Sequence, residues 1–264
     1  MVTVLDRIVA QKREEIAASK KRRDLHSLKD AVTHSSSPRD FLGALRGHQR
    51  MRLIAEVKKA SPSKGMIRPQ FDPVHIAKEY EAGGAAAISV LTDEPFFQGK
   101  LDYLTSIREA IQLPVLRKDF ILDEYQIYEA RVAGADAVLL IAECLDSSQL
   151  KDFYQLIHAL GMTALIELYD PANLENVLET GTVLVGVNNR DLHTFAVDLD
   201  HVIRMRSRIP SHISVVAESG IFSNADVRRL HSAGIEAMLV GESLMRQNDV
   251  KQAVVQLLDD GVQA

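Results

Sequence analysis

"RVAGADAVLL", residues 131–140, passes from a helix-forming stretch through a glycine into a short apolar run. A glycine just past a helix end takes the left-handed conformation at little cost, so Gly134 marks a joint between a helix and a following strand. The same joint recurs in "EAGGAAAISV" (81–90), "HALGMTALIE" (158–167), "LETGTVLVGV" (178–187) and "HSAGIEAMLV" (231–240). One motif used five times points to a repeating αβ architecture.

Working outward, short β-rich apolar runs end near Lys58, Leu91, Lys118, Ile141, Leu168, Asn188, Glu218 and Gly241. These eight ends lie 20 to 33 residues apart, which leaves room for a loop and a helix of several turns in each gap. Eight βα units joined by right-handed crossovers predict a closed parallel sheet, the (β/α)8 or TIM barrel of the α/β class. The alternative, an open doubly wound sheet, would carry G-x-G-x-x-G after its first strand. Here the first strand leads into "KASPSKG" (59–65), which is neither that fingerprint nor a Walker loop. "AGADAVLLI" and "AGIEAMLVG" also resemble each other as half-barrel repeats do.

Residues 1–50 precede the first strand and form an N-terminal helical extension within a single domain spanning 1–264. In "VLDRIVAQKREEIAAS" (4–19), Leu5, Ile8, Val9, Lys12 and Ile16 share one face of an amphipathic helix. "THSSSPRDFLGALRG" (33–47) reads as a link and a short helix capped by Ser37 or Asp40. The extension is expected to cover either the barrel bottom or its mouth.

The 264 residues are 46% hydrophobic and 25% charged, and no apolar stretch reaches the roughly 18 residues of a membrane span. With 31 basic against 36 acidic residues, the formal charge of -5 argues against nucleic acid as the main partner. The basic run Lys20–Arg23 reads as a solvated helix end. Asp6, Arg7, Lys12, Glu14 and Glu15 interrupt any signal-peptide core, and the lone Cys144 allows no internal disulfide, so a cytoplasmic protein is expected. The nine histidines form no H-x-x-x-H or H-x-H pair, and no metal is expected.

In a barrel, alternate strand residues point inward and the C-terminal strand ends face the pocket. Polar residues gather there: Glu56 and Lys58 on the first strand, Lys118 on the third, Glu167 on the fifth, Asn188 and Arg190 at the sixth, Glu218 and Ser219 at the seventh. A buried charge without a partner costs several kcal/mol, so this many at equivalent ends imply one shared site holding both signs. Within "PVLRKDFILD" (114–123), Lys118 is expected to point into the pocket, Arg117 toward the helices, and Asp119 to begin the loop. Gly220 and Gly241 stand where the last two loops leave the barrel, the usual place for a phosphate held by backbone N–H groups.

The stretches "AEVKKASPSKG", "SVLTDEPFFQG", "VLRKDFILDEYQIYEARVAGADAVLLI", "LIELYD", "GVNNRDL", "VAESGI" and "GESLM" resemble, in this order, the indole-3-glycerol phosphate synthase family of tryptophan biosynthesis. The likeness runs from about residue 4 to about residue 246. It implies a barrel that closes 1-(2-carboxyphenylamino)-1-deoxyribulose 5-phosphate to indole-3-glycerol phosphate, losing carbon dioxide and water without any cofactor. By the same resemblance Lys118 is the general acid, Glu167 the base of the dehydration, and Lys58 the partner of the substrate carboxylate and a proton source for departing hydroxide. Which lysine serves which step is left open. Glu56 is implied to orient the lysines, Asn188 to bond substrate hydroxyls and Ser219 to add a polar contact.

Further implied contacts are Ser61, Arg190 and Glu218 for the substrate and Gly220, Gly241 and Glu242 for the phosphate. A carboxylate repels a phosphate, so Glu242 is expected to serve through its backbone N–H with its side chain turned outward. The resemblance implies that Phe97, Phe120 and Leu139 form an apolar wall for the aromatic ring, while their spacing alone reads equally as ordinary core. The loop "KKASPSKGMIRPQFDP" (58–73) reads as a mobile lid or a solvent tether. The expected partner is a small phosphorylated substrate, with the protein a monomer in possible noncovalent contact with other enzymes of the pathway. Two rivals are a phosphosugar isomerase on the same fold and a barrel that binds a phosphorylated metabolite without turnover.

Overall fold

A computed structural model describes residues 3–191 and 194–259. The eight apolar runs form strands β1 (Arg52–Val57), β2 (Ala87–Leu91), β3 (Val115–Lys118), β4 (Ala137–Ile141), β5 (Thr163–Leu168), β6 (Leu184–Asn188), β7 (Ser214–Glu218) and β8 (Ala237–Val240). Each pairs in parallel with its sequence neighbours, and β8 closes on β1 with Arg52 beside Ala237. Six strands end where the sequence predicts. β1 and β8 stop one residue early, β1 because Lys59 begins a small antiparallel hairpin pairing Ala60–Ser61 with Gly65–Met66.

Gly134 has φ +92°, and Gly84, Gly161, Gly181 and Gly234 at the other four joints are left-handed too. An L side chain rarely adopts that geometry, which explains why glycine ends these helices. Helices α4 (Pro73–Gly83), α6 (Leu101–Ala110), α7 (Glu124–Val132), α8 (Ser147–Ala159), α9 (Leu174–Glu179), α10 (Asp200–Arg206), α11 (Asn224–Ser232) and α13 (Val250–Leu258) belong to the outer ring, packing with the outward strand residues into one continuous core. The inward residues Ile54, Leu116, Leu139, Leu165, Val216 and Leu239 fill the barrel itself.

The extension reaches both ends of the barrel, where the sequence left a choice of one. Helix α1 (Val4–Arg22) lies at the mouth, and α2 (Leu25–Val32) packs on α7. Helix α3 (Phe41–Leu45), capped by Asp40 and not Ser37, seals the bottom. Phe41 and Leu45 are buried there against the inner core, while Arg39 donates to the Leu113 carbonyl just before β3. No helix among the described residues is long and apolar enough to cross a membrane.

Candidate active site

The C-terminal strand ends converge as the alternation demands. Lys118 Nζ donates to Glu167 Oε2 at 3.0 Å and stands 3.6 Å from Glu218 Oε2, and Lys58 Nζ is bound to Glu56. Asn188 donates to Glu167 Oε1 at 3.0 Å and accepts from the Arg190 backbone N–H at 3.0 Å. Its amide thus orients both Glu167 and the Arg190 loop while it remains at the cavity wall.

These charges tune one another. Burial alone would lower the Lys118 pKa, but the charges of Glu167, Glu218 and Glu56, with the Glu167 hydrogen bond, outweigh it and keep the ammonium protonated. Burial alone would raise Glu167, yet Lys118 and hydrogen bonds from Glu218 and Asn188 hold it below the ordinary carboxylate range. Glu218 goes the other way: burial first, then the Glu167 charge, lift it well above that range. Of these two carboxyls, Glu218 is therefore the one biased toward the proton and Glu167 the one biased toward the charge.

Two cavities meet at Lys118. One, of about 110 Å³, is polar and lined by Glu56, Lys58, Ser61 and Glu218 together with the loops after β7 and β8. The other, of about 140 Å³, is largely apolar and lined by Phe97, Phe120, Ile141, Phe195 and the first turns of α1, among them Val4, Leu5 and Ile8. Lys118, Asn188 and Arg190 line both. The rings of Phe97 and Phe120 lie 6.2 Å apart.

Leu139 is absent from this wall: it sits in the inner core, 1% exposed, and Ile141, one pleat higher on the same face of β4, takes its place. Glu242 also departs from expectation. Its side chain does not turn outward but lies at the polar cavity, 3.1 Å from Arg246, 3.7 Å from Arg190 and 3.8 Å from Lys64, so cations offset the repulsion it would exert on an anion.

Ser219 and Gly220 both take positive φ, +64° and +80°, turning the chain sharply out of β7, and the Ser219 carbonyl is held by Asn189 Nδ2 at 3.1 Å. A side chain on Gly220 would also overlap Val197. Ser243 Oγ ties the β8 loop to the β7 loop through the Ile221 carbonyl at 2.9 Å. The helix α12 (Glu242–Met245) opens beside them with its N-terminus at Gly241. Gly241 has a second task, since a Cβ there would collide with the Glu56 carboxylate.

Sequence reading missed a charged cluster behind Lys118. Lys12, on the buried face of α1 and 4% exposed, pairs with Asp93 at 2.8 Å, Glu15 at 2.8 Å and Asp119 at 3.0 Å. Its pKa is pushed up because the charges of Asp119 and Asp93 outweigh the effect of burial. Arg117 points outward, as expected, to Glu129 on α7 at 2.9 Å and to Asp119 at 3.2 Å. Asp93 caps the short helix α5 (Glu94–Phe97) that carries Phe97, and Asp119 follows Lys118 directly, so Lys12 braces both halves of the site. The signal was a lysine in the apolar stripe of α1. Cys144 is half-buried beside the inner core, its thiol pushed up to about 12 by burial and by the charges of Glu143 and Glu167.

A closed parallel barrel with lysines and carboxyls gathered at its C-terminal face has the layout of an enzyme of the TIM-barrel class. Residues 5–257 match the family model described as Indole-3-glycerol phosphate synthase. Relatives of that name are similar along nearly their whole length: 56% identity to one from Rhodopirellula baltica, covering 97% of this chain and 99% of the relative. One from Neisseria meningitidis serogroup B is 48% identical, covering 97% and 100%. The chain belongs to the indole-3-glycerol phosphate synthase family. Its activity is that of the family, a decarboxylating ring closure in tryptophan biosynthesis. Solved structures share the fold alone: KGPDC from Streptococcus mutans superposes with a TM-score of 0.61 at 12% identity, covering 79% of this chain and 96% of that one. A thiamine phosphate pyrophosphorylase from Pyrococcus furiosus gives 0.57 at 17%, covering 78% and 93%.

Proposed function

We propose that Lys118 is the general acid and Glu167 the general base of this reaction. The observation that carries the assignment is the position of Lys118 where the polar and apolar cavities meet, 3.0 Å from Glu167. The substrate phosphate lies against the loops after β7 and β8, its aromatic ring enters between Phe97, Phe120 and Ile141, and its carbonyl comes to Lys118 between them. As the ring carbon attacks the carbonyl carbon, Lys118 donates its proton to the oxygen that gains charge. Loss of carbon dioxide restores the aromatic ring. Glu167, kept ionised, then removes a proton while the hydroxyl departs with a proton from Lys58.

Lys58 lines the polar cavity and not the apolar one, which favours Lys118 over Lys58 for the ring-closing step. Glu56 holds Lys58, Asn188 orients Glu167, and Ser61 and Arg190 complete the polar walls. The sequence reading of one domain working as a cytoplasmic monomer is kept as part of this proposal, and the single closed barrel supports its first element. Sedimentation velocity of the purified protein checks the second.

The test of the roles is incubation with the carboxyphenylamino-deoxyribulose phosphate, with and without a metal chelator, followed by indole fluorescence. Product is expected in both, lowered by roughly 10²-fold or more in Lys118→Ala and strongly reduced by Glu167→Gln. Near-native turnover in either variant removes the role given to that residue.

A further inference from the structure

β6 carries a glycine, Gly186, directly between two carboxyl-bearing strands. In the barrel register Gly186 is the partner of Glu167 on β5 and of Val216 on β7, two residues before Glu218. Asn188 points into the site, so by the two-residue alternation of a strand position 186 faces inward as well. A Cβ built there would overlap Glu218 Oε1 and come within 3.4 Å of Leu165 Cδ1. Its φ lies outside the left-handed region, so the backbone does not demand glycine.

What requires glycine is the carboxyl of Glu218, whose buried Oε1 fills the space over the bare strand with no donor beside it. We propose that Gly186 is a positioning residue of the reaction: its missing side chain is the seat in which the Glu218 carboxyl reaches Glu167 and donates a hydrogen bond to the base. The inference rests on the reading of Glu167 as base. Gly241 and Glu56 repeat the arrangement one quarter-turn around the barrel, where the glycine ending β8 leaves room for the carboxylate of β1.

The groups facing Glu218 are Glu167 from β5, Lys118 from β3 and Glu56 from β1, with the neutral amide of Asn188 from β6. Among them Lys118 alone opposes protonation of Glu218, while Glu167 and Glu56 favour it. A donor from Glu218 favours the ionised form of Glu167, so displacing Glu218 raises the Glu167 pKa. The obstacle to a methyl at 186 is the far end of one side chain, which swings aside at small cost in stability and large cost in alignment.

Gly186→Ala is therefore expected to lower kcat about tenfold or more with KM and thermal midpoint near native, and to move the acid limb of the kcat profile to higher pH. The infrared band of a protonated carboxyl, assigned by its loss in Glu218→Gln, shifts or disappears in Gly186→Ala. Glu218→Asp withdraws the carboxyl by one methylene, so Gly186→Ala/Glu218→Asp is expected to be no slower than Glu218→Asp alone. Turnover of Gly186→Ala within about twofold of native overturns the proposal, and so does an unchanged carboxyl band. An equal further loss in the Glu218→Asp background does the same. Should Gly186→Ala fail to fold, recovery of folding in the double variant supports the seat and continued misfolding overturns it. The Gly186 and Glu218 comparison does not involve position 167, so a fully active Glu167→Gln removes the base and leaves the seat to be judged separately.

Discussion

At the bottom of the barrel the extension places Phe41 and Leu45 against Ile54, Ala87, Leu116, Ala137 and Leu184. At the mouth the same extension places Lys12 against Asp93, Asp119 and Glu15. The bottom contact is one of shape and area, and each buried apolar atom contributes roughly independently. The mouth contact is one of balance: removing a single charge leaves its partners buried and uncompensated. Both ends hold the extension in place, but only the second adjoins the charged site, and the extension joins the two through α2 on α7.

The sharpest way to break this contrast is Lys118→Ala. It is expected to lower turnover by roughly 10²-fold to 10⁴-fold with little change in substrate affinity, measured by steady-state indole fluorescence. If turnover survives, the charges at the mouth are as structural as the apolar residues at the bottom.

Lys12→Met tests whether the two ends can be separated. With Asp93 stripped of Lys12 and Asp119 left to Arg117 and Thr92, it is expected to cost about 3–5 kcal/mol in chemical unfolding and, in the protein that remains folded, about tenfold in turnover. A loss of stability with native turnover would make α1 a clamp and nothing more. Phe41→Ala is its counterpart at the other end, expected to cost about 3–5 kcal/mol while turnover below the unfolding transition stays within about twofold of native. A slowed Phe41→Ala would show that the bottom is felt in the site.

The smallest expected effect concerns pH. Glu218 has a folded pKa above its unfolded value, so the native fold retains a proton that the unfolded chain releases, and the stabilisation is present below about pH 4.3 and lost as pH rises through the folded value. Glu218→Gln lacks this loss. Its thermal midpoint relative to native is expected to rise between pH 4 and neutrality, and parallel curves would mean that Glu218 is ionised in the fold.

The sequence made the barrel legible because its strands are apolar runs bounded by glycine joints, and it made Glu56, Lys118, Glu167 and Glu218 legible because a charge inside such a run is conspicuous. Leu139 and Ile141 show where that logic stops. Both are apolar residues of one strand face, and only the depth of the pocket decides which touches it. Lys12 stood in plain view among Leu5, Ile8 and Ile16, but a lysine in an apolar stripe reads equally as a snorkelling side chain until its acidic partners are located. Gly186 lay hidden in "VLVGVN", because a glycine that serves a residue on the next strand has no local mark. The position of Glu242 needed Arg190 and Lys64, which fold up to it from elsewhere in the chain.

The closure of β8 on β1 has a consequence for biosynthesis. β1 is made early and pairs with β2 on one side, but its other edge has no partner until residues 237–240 leave the ribosome. Until then β1 and the newest strand both present bare N–H and C=O groups to any neighbouring chain. A nascent or truncated chain ending before β8 is thus adhesive at two edges and lacks the last wall of its phosphate loop. Protection from aggregation and completion of the pocket arrive with the same few residues.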